Sequence, residues 1–274
     1  MLGYGTYTEV LKAMYKGNLA AVKKFNYISN IKTFKKQASF ISRLSSDNIV
    51  QLFGMVIQNK RSPELVFEYM DGGSLDVFIK KQKTSLTNFS KAGIALAIAR
   101  GLQILHEHNI IHRDLRSRNV LLSTDGRVKL ADFGFARENA PMQDYRSQAL
   151  PYAAGSAYPA APSSGEIYNN PLATAFWTAP EVLQHHNDHS IESDIYSFGI
   201  ILTELDTLTA PYSSSGEKIW QTLIRVQEGS ITPQLSSSCE PWYKEITGKC
   251  ISQDPMNRPK FDVIVQLFEQ YAFE

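Results

Sequence analysis

The stretch HRDLRSRN, residues 112–119, sets three arginines (Arg113, Arg116 and Arg118) and a histidine around one carboxylate, Asp114, and closes on Asn119. Alone it reads as a basic, solvent-facing loop, and most short charge runs are no more. Other short patterns accompany it in a single order. LGYGTYTEV at 2–10 carries Gly3 and Gly5 ahead of Val10. AAVKK puts Lys23 on a strand, DFG at 132–134 supplies Asp132, and APE stands at 179–181. SDIYSFG at 193–199 and DPMNRP at 254–259 come last. Singly each has a bland reading. A G-x-G is usually a turn and only sometimes a nucleotide site, and a strand lysine usually snorkels to the surface. The full set, ordered over nearly the whole chain, has no purely structural explanation.

The elements that must hold these residues follow from periodicity. Residues 17–25, 48–58 and 63–70 are short runs rich in β-branched and aromatic residues, which predicts strands. In IKTFKKQASFISRL, 31–44, Phe34, Ala38, Ile41 and Leu44 recur at helical spacing. DGGS at 71–74 breaks the pattern and marks a lobe boundary. Beyond it helices dominate. Residues 90–108 are apolar almost all round, as a buried helix would be. Residues 192–205 form a second such run, and 262–274 close the chain as an amphipathic helix. The segment 140–175 is rich in Ala, Pro, Ser, Gly and Tyr without periodicity, and reads as a mobile loop. A small β-rich lobe, a hinge and a larger helical lobe result.

Bulk properties narrow the class. With 274 residues the chain can bury one large core or two modest ones. A net charge of +1 gives little weight to nucleic acid as a partner. The best apolar run, 195–205, is too short to span a bilayer, so no membrane segment is expected. The N-terminus lacks a basic stretch followed by an apolar run, so no signal peptide is expected. Two cysteines, Cys239 and Cys250, make no disulfide framework, which points to a reducing, cytoplasmic setting.

Carried by those seven patterns, residues 2 to about 270 resemble a eukaryotic-type protein kinase catalytic domain of the tyrosine-kinase or tyrosine-kinase-like branch. The resemblance implies an α+β, bilobal fold with a small antiparallel sheet and one main helix at 1–69. A mainly helical lobe would occupy 70–274, with an activation segment at 132–181, in a single domain 1–274. It implies ATP and Mg²⁺ (Mn²⁺ also serving) and a protein substrate; it leaves oligomeric state open. Phosphoryl transfer needs positioning and charge neutralisation more than covalent help. The glycine turn (Gly3, Gly5) would let backbone N–H groups approach the phosphates. Lys23 would hold the α- and β-phosphates, and Asp132 and Asn119 would bind the metal through hard oxygen ligands. Asp114 would accept or orient the proton of the attacking hydroxyl. Adenine would lie between Leu2, Val10 and Ala21 above and Leu121 below, read by the backbone of Glu68 and Met70, with Phe67 as gatekeeper. Arg113 would receive a phosphorylated activation loop, for which Tyr145, Ser147, Tyr152, Tyr158 and Tyr168 are candidates. Asp194 would hold the catalytic-loop backbone, and Glu181 would pair with Arg258. Ile41, Leu52, His112 and Phe133 match the apolar column that links the lobes.

The chain departs from the pattern in three places. Thr8 stands where a third glycine is usual. The chain opens at the glycine turn, without the first half of its strand. Gln37 stands where a glutamate partner for Lys23 is expected, and no acid occurs anywhere in 26–46. Gln37 predicts a slow enzyme, with Gln37→Glu raising kcat/KM several-fold, and it keeps open a pseudokinase scaffold. The retained Lys23, Asp114, Asn119 and Asp132 favour activity. Thr174, three residues before Trp177, favours serine/threonine transfer, since its hydroxyl can bond the catalytic aspartate. Arg116 and Arg118 argue for tyrosine or dual specificity.

Overall fold

The computed structural model describes residues 2–5, 8–26, 31–57, 62–81, 90–133, 136–138, 173–185 and 189–272. The chain parts into two compact units. The first comprises 1–104, 117–135 and 268–274, the second 105–116 and 136–267. The division therefore falls after Ile104, inside a helix, whereas the sequence pattern placed a lobe boundary near residue 70.

In the first unit five antiparallel strands form one sheet. They are β1 (Gly3–Gly5), β2 (Thr8–Tyr15), β3 (Asn18–Phe25), β4 (Leu52–Val56) and β5 (Glu64–Glu68), in the order β1-β2-β3-β5-β4. Helix α1 (Ile31–Ile41) buries Phe34, Ala38 and Ile41, the predicted face. The predicted strand 48–58 begins only at Leu52. Ahead of it, Ile49 makes a single parallel bridge to Leu130, and Val50 N–H donates to the Leu130 carbonyl at 2.9 Å. A three-stranded sheet adds β6 (Gly73–Ser74), β8 (Val120–Leu122) and β9 (Val128–Leu130). Gly72 lets this sheet close up: a Cβ there would stand 2.8 Å from the Leu122 carbonyl oxygen. Helix α2 (Leu75–Lys81) follows β6, and α3 (Lys91–Glu107) runs on from this unit. Gly101 of α3 admits the Asn48 carbonyl and the Leu130 side chain, where a Cβ would meet both within 2.9 Å. Most of α3 and the strands β6, β8 and β9 thus belong to the same unit as the five-stranded sheet.

The second unit is helical apart from β7 (Ile110–Ile111) pairing antiparallel with β10 (Arg137–Glu138). Its helices are α4 (Pro180–Gln184), α5 (Ile191–Thr207), α6 (Ile219–Gln227), α7 (Pro241–Cys250) and most of α8 (Phe261–Tyr271). Helix α5 is its axis, buried continuously from Ser193 to Leu205. Ser190 and Ser193 cap one another reciprocally and fix where α5 starts, which satisfies two otherwise orphaned N–H groups. The α5–α7 contact is close, since a Cβ on Gly199 would lie 2.6 Å from Ile251. No described helix is long and apolar enough to cross a membrane. The segment read as a mobile loop, 140–175, lies outside the described residues except for its last three.

Candidate active site

In the first unit, strand register alone gathers most of the expected nucleotide residues. Gly3 pairs with Val10, Val10 with Lys23, and Lys23 with Leu65; one row further, Ala21 pairs with Phe67. Residues paired across strands share a face, as do residues two apart. Val10, Ala21, Lys23 and the gatekeeper Phe67 therefore project from the same side of the sheet. Gly3 has open space where a Cβ would be, and Leu2, half-exposed, ties its N–H to the Val10 carbonyl at 2.8 Å. Gly5 ends β1. Leu121 is half-buried in β8, and Met70 is buried two residues past β5.

The two residues expected to bind metal flank one hairpin. Asn119 precedes β8 and Asp132 follows β9, and Val120 pairs with Leu130. Ala131 N–H donates to the Asn119 carbonyl at 2.8 Å, which continues the ladder one step. The buried amide of Asn119 and the carboxylate of Asp132 thus end the same two-stranded ribbon. An amide oxygen and a carboxylate are the hard oxygen donors that a divalent cation such as Mg²⁺ takes. Asp132 has φ +61°, a left-handed backbone that aspartate tolerates better than most residues. Its carboxylate accepts from Lys23 Nζ at 2.6 Å. The Lys23 partner expected from the sequence was α1; the structure supplies Asp132. Gln37 has its backbone in α1, and its side chain lies outside the described residues.

Sequence reasoning assigned Glu68 only a backbone role and missed its side chain. Glu68 accepts from Lys129 Nζ at 2.6 Å, from Arg127 Nη1 at 3.1 Å and from the Gln51 N–H at 2.7 Å. One signal was present. Lys129 lies between Val128 and Leu130 in a buried strand, and a buried lysine requires a partner.

In the second unit, Asp194 organises the loop around Asp114. It lies in the first turn of α5, where the helix dipole favours a carboxylate. It accepts the His112 N–H at 2.7 Å and the Arg113 N–H at 3.0 Å, and meets His106 Nε2 at 3.0 Å. Aiming two successive N–H groups at one carboxylate bends the chain, and Arg113 takes φ +69° to do it. Burial alone would push the Asp194 carboxyl up. The hydrogen bond and charge of His106, the charge of His112 and the His112 N–H outweigh burial and hold it below the usual carboxylate value.

Asp114 is held differently. Its Oδ1 lies 3.4 Å from Arg116 Nε, an ion-pair distance without hydrogen-bond geometry. It lines one small pocket with Arg113, Thr174 and Trp177. Thr174 sits in a single 3-10 turn, Ala173–Trp177. Trp177 fixes that wall: its indole N–H donates to the buried Glu204 at 2.8 Å, and its carbonyl accepts from Ser197 Oγ at 2.7 Å. The predicted Glu181–Arg258 pair is bidentate, at 2.6 and 2.8 Å, and Arg258 also donates to the Ser252 and Glu192 carbonyls. His112 is buried in this unit; Ile41, Leu52 and Phe133 are buried in the other. Arg118 is exposed. Tyr145, Ser147, Tyr152, Tyr158 and Tyr168 lie outside the described residues.

Comparison with known proteins agrees with this geometry. The family described as protein kinase domain matches residues 1–268. A probable serine/threonine-protein kinase of Dictyostelium discoideum is 32% identical over 96% of the chain and 18% of its own length. The serine/threonine/tyrosine-protein kinase HT1 of Arabidopsis thaliana is 30% identical over 97% of the chain and 64% of its own. The serine/threonine-protein kinase STY17 of the same plant is 30% identical over 98% and 43%. The chain thus spans less than two thirds of each of these relatives.

Proposed function

Since the chain belongs to the protein kinase family, we propose that it transfers the γ-phosphoryl group of ATP to serine and threonine hydroxyls of protein substrates. The observation that carries this reading is the convergence of Lys23, Asp132 and Asn119 through the register of two sheets. ATP and Mg²⁺ (Mn²⁺ also fitting the oxygen donors) would supply the transferable phosphoryl group and neutralise its charge. Asn119 and Asp132 would hold the metal, and Lys23 would turn from Asp132 to the phosphates. The Glu68 and Met70 backbone would position adenine beneath Val10 and Ala21. Asp114 would take or direct the proton of the substrate hydroxyl, oriented by Arg116.

Thr174 and Asp114 on one cavity support serine/threonine transfer, because a threonine hydroxyl there can bond the aspartate. The name of HT1 includes tyrosine, and Arg116 beside Asp114 keeps tyrosine as the second reading. Arg113 would pair with a phosphate introduced in the 140–175 segment. We place the activity in the cytoplasm, where ATP and reduced thiols coexist, in keeping with the free Cys239 and Cys250.

The test is incubation with ATP–Mg²⁺ and a generic protein substrate, with phosphorylated residues mapped by mass spectrometry. Phosphoserine and phosphothreonine are expected. Phosphotyrosine alone would reassign the specificity. ATP binding without transfer would make the chain a nucleotide-binding scaffold.

A further inference from the structure

No acid between residues 26 and 46 can pair with Lys23, yet its cation lies next to more than Asp132. Lys23 and Phe25 are two apart on β3 and so project from one face. Lys23 Nζ lies 5.7 Å from the centroid of the Phe25 ring. That ring meets Phe34 of α1 edge-on, with centroids 5.1 Å apart and planes at 79°. Phe34 is buried. A cation over a ring face is attracted by the ring's negative quadrupole, and an edge-to-face pair is the favoured geometry of two aromatics. Lys23, Phe25 and Phe34 thus form a continuous aromatic bridge from the lysine of β3 to the core face of α1.

We propose that Phe25 and Phe34 are positioning residues for Lys23, standing in for the acid that α1 lacks. The inference rests on the kinase reading for its biological use, but its first readout is nucleotide binding, which does not need transfer. The ring offers Lys23 an attraction that survives when Asp132 turns to a metal. An ion pair to Asp132 would not survive that exchange. The T-shaped contact then makes the place of Lys23 depend on where α1 packs.

The experiment compares ATP–Mg²⁺ affinity, by calorimetry, for the parent chain and for Phe25→Leu, Phe25→Tyr and Phe34→Leu. Leucine keeps apolar bulk without a quadrupole; tyrosine keeps the ring. Phe25→Leu and Phe34→Leu are expected to weaken binding about three- to tenfold, the range of a partly desolvated cation–ring contact. Phe25→Tyr should stay within about twofold. Adding Gln37→Glu to Phe25→Leu should restore most of the loss, because the acid then replaces the ring. Equal behaviour of Leu and Tyr at position 25, or an undiminished loss in the Gln37→Glu background, overturns the proposal. If Phe25→Leu melts below the assay temperature, Phe25→Met gives the same contrast. A parent chain that binds ATP but transfers no phosphate would end the kinase reading and leave this inference to the binding data.

Discussion

Two aspartates serve the same loop in opposite ways. Asp194 is 1% exposed and holds three partners, two of them backbone N–H groups of His112 and Arg113. Asp114, in that loop, keeps a quarter of its side chain exposed and meets Arg116 at 3.4 Å without a hydrogen bond. The first carboxylate is committed to the fold by short, charge-assisted bonds in a water-poor site. The second lines a pocket with Thr174, and its pair with Arg116 lacks hydrogen-bond geometry. The same contrast separates Glu181–Arg258, closed by two short bonds, from Lys23–Asp132, joined by one. In both comparisons the pair expected to hold the fold is closed by two hydrogen bonds, and the pair expected to serve chemistry by one or by none.

The largest effect expected from this contrast is on Asp194. Asp194→Ala removes the acceptor of the buried His112 N–H, the part-buried Arg113 N–H and His106, and should cost roughly 3–5 kcal/mol, as breaking a buried charge network does. Urea denaturation reads it as a lower midpoint at unchanged slope. A loss under about 1 kcal/mol would erase the distinction between the two carboxylates.

Asp114→Asn is next. Phosphoryl transfer should fall at least about a hundredfold, the scale of a lost acid-base group, which is about 2.7 kcal/mol of barrier. The melting temperature should move by no more than about 2 °C. A large drop in melting temperature would place Asp114 with Asp194 among the fold residues.

His106→Ala takes one of the three partners from Asp194. It should destabilise by about 1–2 kcal/mol, between a neutral and a charge-assisted hydrogen bond, and leave the Michaelis constant for ATP unchanged. Equality with Asp194→Ala would mean that the histidine, not the backbone pair, is what Asp194 is for.

The smallest effect is in pH dependence. A carboxyl whose folded pKa lies below its unfolded value binds fewer protons in the native state, so its contribution is complete above the unfolded value. Asp194 should therefore contribute fully from about pH 5 upward, and lose its contribution as pH falls from about 4 through the folded-state value. Denaturation midpoints between pH 3 and 6 should fall on the acid side in the parent chain. Asp194→Asn should flatten that part of the profile; an unaltered acid limb would assign it to other carboxylates.

The helices at 31–44 and 262–274 were legible because their buried faces recur every three or four residues, and those at 90–108 and 192–205 because they are apolar almost all round. Helices α2, α4, α6 and α7 were not drawn from the sequence. They are short or part-exposed, and their patterns are interrupted by polar residues. The late start of β4 was hidden too: Ile49 and Val50 look like strand residues, but their backbone reaches Leu130, a partner eighty positions away that local pattern does not report.

By itself the sequence determined the chemical inventory: a strand lysine, a loop aspartate and asparagine, a second aspartate before a phenylalanine, and a helix with no acid. It also determined a small β-rich part ahead of a larger helical one, since strand composition and helical spacing are local properties of the chain; the antiparallel arrangement came from the family resemblance. Only the tertiary structure decided who partners whom. Lys23 meets Asp132 across 109 positions, Arg258 meets Glu181 across 77, and His112 meets Asp194 across 82. Hydrogen bonds and ion pairs act over about 3 Å in space, and a chain's local pattern says nothing of distances between residues so far apart along it. For that reason Gln37 reads in the sequence as a missing partner, while the folded chain gives Lys23 a carboxylate and a ring.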